Sequence, residues 1–285
     1  MSWNPRAALA AIALGGLAAI STVSAQEITT RDLLDGLINP ARWLTHSGDY
    51  AGHRFSPLKE ITPANANQLA AQWTFQTGVN NKFEATPIVV DGTLYVTGAL
   101  NHAWAIDGRT GKQLWRYQRT LPQGLKVCCG LVNRGFAIYG DRLFMVTLDA
   151  HLVALEAKTG KVVFDVEMAT VKDGFAATGA PLVVKGKVIV GVAGGEFANR
   201  GFIDAYDPQS GQRLWRFYTI PAPGEAGSDT WQGDIWQRGG APTWLTGTYD
   251  PALNLLYWGT GNPNPDWDGE SRPGANLYTD SLLAL

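Results

Sequence analysis

The chain has 285 residues, with 23 Lys and Arg against 25 Asp and Glu, and its formal net charge of −2 excludes a basic footprint for nucleic acid. Hydrophobic residues reach 45% and charged residues only 17%, the balance of a globular chain with a large core rather than a disordered one. An excess of 11 Trp and 33 Gly calls for many tight turns and for places where large rings can pack.

The first segment reads as a secretory signal peptide over residues 1–25. Arg6 supplies the positive region, Ala7 to Ile20 the apolar run, and Val23-Ser24-Ala25 the small-residue cleavage site. The run is 14 residues, short of the ~20 that span a bilayer, so an uncleaved anchor is the weaker alternative. Export to the periplasm follows for the mature domain, residues 26–285, which has no later stretch apolar enough to cross a membrane. Asp32 and Asp35, soon after the cleavage site, read as a solvated helix end rather than as ligands of a structural cation.

Three segments then share one template. Ala105-Ile106-Asp107 leads to Thr110-Gly111 and Trp115; Ala154-Leu155-Glu156 leads to Thr159-Gly160 and Phe164; Ala205-Tyr206-Asp207 leads to Ser210-Gly211 and Trp215. The glycines recur after 160 − 111 = 49 and 211 − 160 = 51 residues, a period in the propeller range. Each copy reads as a hairpin whose glycine takes the positive φ of the turn and whose outer strand carries an aromatic ring to pack between sheets. Upstream lie alternating runs such as Pro87–Val96 and Pro181–Val190. Short strands at regular spacing predict an all-β chain, a β-propeller. Ser281–Leu285 reads as the beginning of a fourth copy, with Ala284 standing where Ala205 stands.

Between the first two copies, Cys128 and Cys129 are adjacent and are the chain's only cysteines. Cα atoms across one trans peptide are about 3.8 Å apart, whereas disulfides usually span roughly 4.4–6.8 Å, so closing the pair demands a distorted backbone. A loop this short returns only about 1 kcal/mol of chain entropy. An oxidised pair therefore points to a functional role, and two reduced, buried thiols are the alternative.

Taken together, these cysteines, Gly194-Gly195-Glu196-Phe197, Gly239-Gly240-Ala241-Pro242-Thr243-Trp244 and Trp258-Gly259-Thr260-Gly261-Asn262 make the chain resemble the pyrroloquinoline quinone (PQQ)-dependent alcohol dehydrogenases, the methanol/ethanol dehydrogenase family of quinoprotein β-propellers. The likeness runs from about Trp43 to Leu285. It implies an eight-bladed fold of which about the first half is present. It also implies a Cys128–Cys129 disulfide on one face of PQQ and Trp244 on the other, with Arg134, Glu84 and Thr178 on the cofactor's polar rim. Ala193, Gly194 and Gly195 match backbone contacts, and Glu196 and Asn262 match ligands of calcium or a lanthanide. The implied reaction takes a primary alcohol to an aldehyde, passes hydride to the quinone and hands electrons to a cytochrome c-type acceptor. The family's Asp base is expected beyond Leu285; Asp266, Asp268 and Asp280 do not stand in its motif. The alternatives are a non-catalytic envelope scaffold, which needs neither vicinal cysteines nor a ligand pair, and a PQQ-dependent sugar or polyol dehydrogenase.

Overall fold

In the computed structural model, residues 27–285 are described, so the expected signal peptide lies outside the described residues. Four antiparallel sheets follow in chain order as blades of a β-propeller. The first comprises β1 (Ile88–Val90), β2 (Thr93–Thr97), β3 (His102–Asp107) and β4 (Gln113–Gln118). The second comprises β5 (Ala137–Tyr139), β6 (Arg142–Val146), β7 (His151–Glu156) and β8 (Val162–Glu167). The third comprises β9 (Leu182–Val184), β10 (Lys187–Gly191), β11 (Phe202–Tyr206) and β12 (Arg213–Tyr218). The fourth has three strands, β13 (Thr248–Asp250), β14 (Leu255–Gly259) and β15 (Leu282–Ala284). Ala284 faces Tyr257 on β14 as Ala205 faces Ile189 on β10, so the Ser281–Leu285 segment is the third strand of a fourth repeat, as expected.

The repeat is visible in its details. Each alternating upstream run folds as two strands about a Xaa-Gly turn, Asp91-Gly92 and Lys185-Gly186, with all four residues at positive φ. In the downstream hairpins Gly111, Gly160 and Gly211 sit at φ 72°, 70° and 72°. The Asp107 carboxylate accepts from the Thr110 backbone and hydroxyl, and Asp207 does the same for Ser210. A register shift recurs at Ala105/Ile106, Ala154/Leu155 and Ala205/Tyr206. The middle strands β3, β7 and β11 are buried almost throughout, whereas β4, β8 and β12 are largely exposed.

The aromatic residues join blade to blade. A Cβ on Gly160 would lie 2.7 Å from the Trp115 ring, and one on Gly211 would lie 3.0 Å from the Phe164 ring, so each turn glycine receives the previous blade's aromatic. Trp115 also donates its indole N–H to Ala157 O at 2.8 Å. Gly111 receives Trp73, which donates to Gly108 O at 3.1 Å. The sequence repeat did not flag Trp73 because its nearby Thr77-Gly78 turn follows the ring, whereas in the repeat the Thr-Gly turn precedes the aromatic.

The N-terminal segment ties the blades together. Helix α1 (Thr30–Asp35) opens with a Thr29–Asp32 capping box, and Asp35 pairs with Arg31 at 2.8 Å, so both aspartates serve the helix. Ile28 bridges to Gly140 of the second blade, Trp43 to Val89 of the first, and the Tyr50 hydroxyl donates to Val183 O of the third at 2.6 Å. Among the described residues no helix is long and apolar enough to cross a membrane.

Candidate functional site

In a four-stranded antiparallel blade, the loop after the second strand and the linker after the fourth lie at the same end of the sheet. The predicted site residues come from those two kinds of segment, except Glu84, which lies in the segment leading into β1. Cys128, Cys129 and Arg134 lie in the linker from β4 to β5, Thr178 in that from β8 to β9, and Trp244 in that from β12 to β13. Ala193–Glu196 belong to the β10–β11 loop, and Asn262 follows β14. Successive linkers are bonded to each other: Thr86 N donates to Arg134 O at 3.1 Å, and Arg134 N donates to Thr178 O at 3.0 Å. This ladder carries the site from blade to blade.

A cavity of about 170 Å³ forms there, and all the predicted site residues except Glu84 and Gly195 line it. Glu84 is one contact away, paired with Arg134 at 2.7 Å. Gly195 packs beneath: a Cβ on it would meet the Pro242 ring at 2.6 Å. Val127 and Val132 complete the walls, and neither had a sequence signal beyond its place beside the cysteines. Two larger clefts, of about 1000 and 930 Å³, contain none of the predicted residues.

The cysteines form a disulfide. Their Cα atoms are 3.8 Å apart, so the peptide between them is trans, and the expected distortion is instead taken up by Cys129 at φ 72° and Gly130 at φ 118°. The Lys82 ammonium, which the sequence reading missed, donates to Cys129 O at 3.3 Å. Both sulfurs and a Glu196 carboxylate oxygen lie within 4.8 Å of one another.

Arg134 is the charged centre of the site. Its guanidinium donates to the Thr178 hydroxyl at 2.8 Å, pairs with Glu84, and lies 4.9 Å from the Trp244 ring centroid. Burial holds its pKa below the usual arginine value, and the Glu84 charge offsets part of that. Behind it stands His46, whose pKa is lowered by burial and then by the Arg54 charge, which favours the neutral imidazole beside Arg134.

The other walls are held from behind. Buried Thr243 accepts from Val192 N at 2.9 Å and donates to Phe202 O at 2.6 Å, fixing the residue before Trp244. Gly261 N donates to Pro242 O at 2.7 Å and Ala241 N to Asn262 O at 2.8 Å, binding the Trp244 segment to the Asn262 loop. Gly194 has φ 105°, and a Cβ on it would lie 2.0 Å from Gly174 O. No other residue fits where the backbone turns into Glu196.

This convergence of a vicinal disulfide, an indole, a guanidinium and two hard oxygen donors agrees with sequence comparison. The sequence model of the PQQ family, described as the glucose/ethanol/alcohol dehydrogenase β-propeller domain, matches residues 43–285. The chain belongs to this family. It is 41% identical to the quinoprotein alcohol dehydrogenase PedH of Pseudomonas putida, over all of this chain and 51% of that protein. It is 39% identical to a lanthanide-dependent methanol dehydrogenase of Methylacidiphilum fumariolicum, over 86% of this chain and 44% of the relative. Among solved structures, a europium-containing methanol dehydrogenase superposes with a TM-score of 0.84 at 37% identity, over 89% of this chain and 48% of the other. The chain thus spans about half the length of the curated relatives it matches.

The residues present fit the family's cofactor. A guanidinium and a hydroxyl side by side suit a carboxylate, the disulfide and the indole provide flat walls, and carboxylate and amide oxygens suit a hard cation.

Proposed function

We propose that this chain forms the cofactor-cradling half of an exported quinoprotein dehydrogenase that oxidises a primary alcohol to an aldehyde. The observation that carries the reading is the meeting of Cys128–Cys129, Trp244, Arg134, Glu196 and Asn262 at one cavity on the blade ends. When bound, PQQ supplies the two-electron acceptor and its cation a Lewis acid. The chain's own residues do the positioning. Arg134, set by Glu84 and Thr178, receives a cofactor carboxylate; Ala193, Gly194 and Gly195 give close backbone approach; the disulfide and Trp244 cover the two faces and exclude water. Glu196 and Asn262 offer oxygens to calcium or a lanthanide, and the lanthanide-dependent relatives support keeping both ions in view.

No carboxylate among the described residues is assigned the role of proton acceptor in this reading. Electrons then pass to a cytochrome c-type acceptor, and the periplasm is the proposed compartment. The test is titration of the full-length protein with PQQ and either calcium or lanthanum, followed by dye reduction with ethanol. Saturable PQQ binding and alcohol-dependent dye reduction are expected. No binding with both in excess overturns the proposal, and reduction with sugars but not alcohols redirects it to the sugar-oxidising class.

A further inference from the structure

Asn262 can hold a hard cation only through its amide oxygen, because the amide nitrogen is a donor with no lone pair to offer. Something must therefore decide which end of the amide faces the cavity. The nitrogen is committed on the far side: Nδ2 donates to a carboxylate oxygen of Asp266 and, at 3.2 Å, to Pro263 O. The reverse orientation would set the amide oxygen against the carboxylate, two acceptors with no proton between them. Asn262 borders both the central cavity and a neighbouring cleft of about 480 Å³ that Asp266 lines. With the nitrogen engaged toward the cleft, the carbonyl end is left for the cavity. Among the described residues no hydrogen-bond donor serves that oxygen.

Asp266 is itself held in place. Arg272 donates to Pro265 O at 2.9 Å, to Asp266 O at 3.1 Å and to the Asn276 side chain at 2.9 Å, and Asn276 is almost wholly buried. The loop that presents the carboxylate is thus braced by its own side chains.

We propose that Asp266 is a positioning residue: by accepting from Asn262 Nδ2 it locks the amide with its oxygen toward the cation site and strengthens that oxygen as a donor. The inference rests on the reading of Asn262 as a ligand. A carboxylate hydrogen-bonded to a ligand's far side polarises it and fixes its rotamer, and removing such a partner typically weakens metal affinity about 10- to 100-fold.

The experiment uses the full-length protein saturated with PQQ and titrates calcium or terbium, reading binding by calorimetry and by terbium luminescence rather than by turnover. Asp266→Ala should weaken the apparent Kd for metal about 10- to 100-fold, whereas Asp266→Asn, which keeps an acceptor oxygen, should lose about threefold or less. The double variant D266A/N262D carries an oxygen at both ends of the ligand, so orientation no longer matters and affinity should return to within about threefold of the parent. Metal-free PQQ affinity and the unfolding midpoint should not change, which separates positioning from general loosening of the loop. Equal metal affinity in Asp266→Ala and the parent overturns the proposal, as does a double variant as weak as Asp266→Ala. A parent protein that binds no metal overturns the reading of Asn262 as a ligand, and this inference with it.

Discussion

Cys128 and Cys129 illustrate how a bond can matter while contributing little to stability. A ring closed between neighbours removes only about 1 kcal/mol of unfolded-chain entropy, and Cys129 adopts φ 72°, a conformation that L-residues with a Cβ seldom take. The pair nonetheless forms a wall of the central cavity. Replacing both cysteines by serine should therefore change the unfolding free energy by no more than about 1 kcal/mol. PQQ affinity should fall about 2- to 10-fold, the range expected for losing one stacked face. Denaturant titration and cofactor titration of the same variant test this, and a large stability loss with unchanged PQQ affinity would contradict it. The cysteines, Arg134 and Trp244 were all legible in the sequence because their neighbours carry the family's motif. Lys82, His46 and Asp266 were not, because a lone Lys, His or Asp in a loop has no periodicity and is recognised only by what it touches.

Between blades, two devices recur or bridge. The aromatic-on-glycine contact links successive blades from Trp73 to Gly211, whereas Trp215, next in the series, is 38% exposed. The second device is ionic and joins the first two blades. Arg119, just after β4, donates to Asp149 at 2.6 Å and to Asp165 at 2.7 Å, and His151 Nδ1 lies 2.7 Å from Asp165. Burial works against ionisation of Asp149, but hydrogen bonds from Arg119 and Thr147 outweigh it and hold the carboxyl below the usual range. The folded state therefore binds this proton less readily than the unfolded state does. Its stabilising contribution is complete above the unfolded value of about 3.9 and is lost as pH falls through the lower folded value. Asp149→Asn should cost, at neutral pH, toward the low end of the ~3–5 kcal/mol expected for breaking a buried pair, because Asp165 still serves Arg119. Urea unfolding from pH 7 to pH 3 should show a shallower acid limb in the variant than in the parent. Parallel limbs would rule out Asp149 as the group responsible.

The whole molecule is coupled through its hub. Linkers before the first three blades are bonded in series through Thr86, Arg134 and Thr178, and the backbone of Trp244 approaches Gly179 so closely that a Cβ there would lie 2.8 Å from Trp244 O. A ligand gripped by these linkers is gripped by several blades together. At a hundredfold excess over Kd such a ligand stabilises the folded state by about 2.7 kcal/mol, which raises the unfolding midpoint by roughly 2–3 °C for a protein as long as the relatives, about twice this chain. Adding PQQ with calcium to the full-length protein should produce that shift, and a chelator should reverse much of it. An unchanged midpoint under saturating ligand would argue against a hub-bound cofactor.

The blade architecture was written in local terms: a turn needs Gly at positive φ, a buried middle strand needs small and branched apolar residues, and both recur near every 50 residues. Such requirements act on neighbours along the chain, so they are readable without coordinates. The site depends on residues as far apart as Cys128 and Asn262, brought to one cavity by strands and linkers whose closure no local pattern encodes. Family motifs named those residues, but only folding set Arg134 between Glu84 and Thr178 and turned the amide of Asn262 toward Asp266. Hydrogen bonds and charge pairs of that kind operate over a few ångströms in space, and the sequence separates their partners by anything from four residues to fifty.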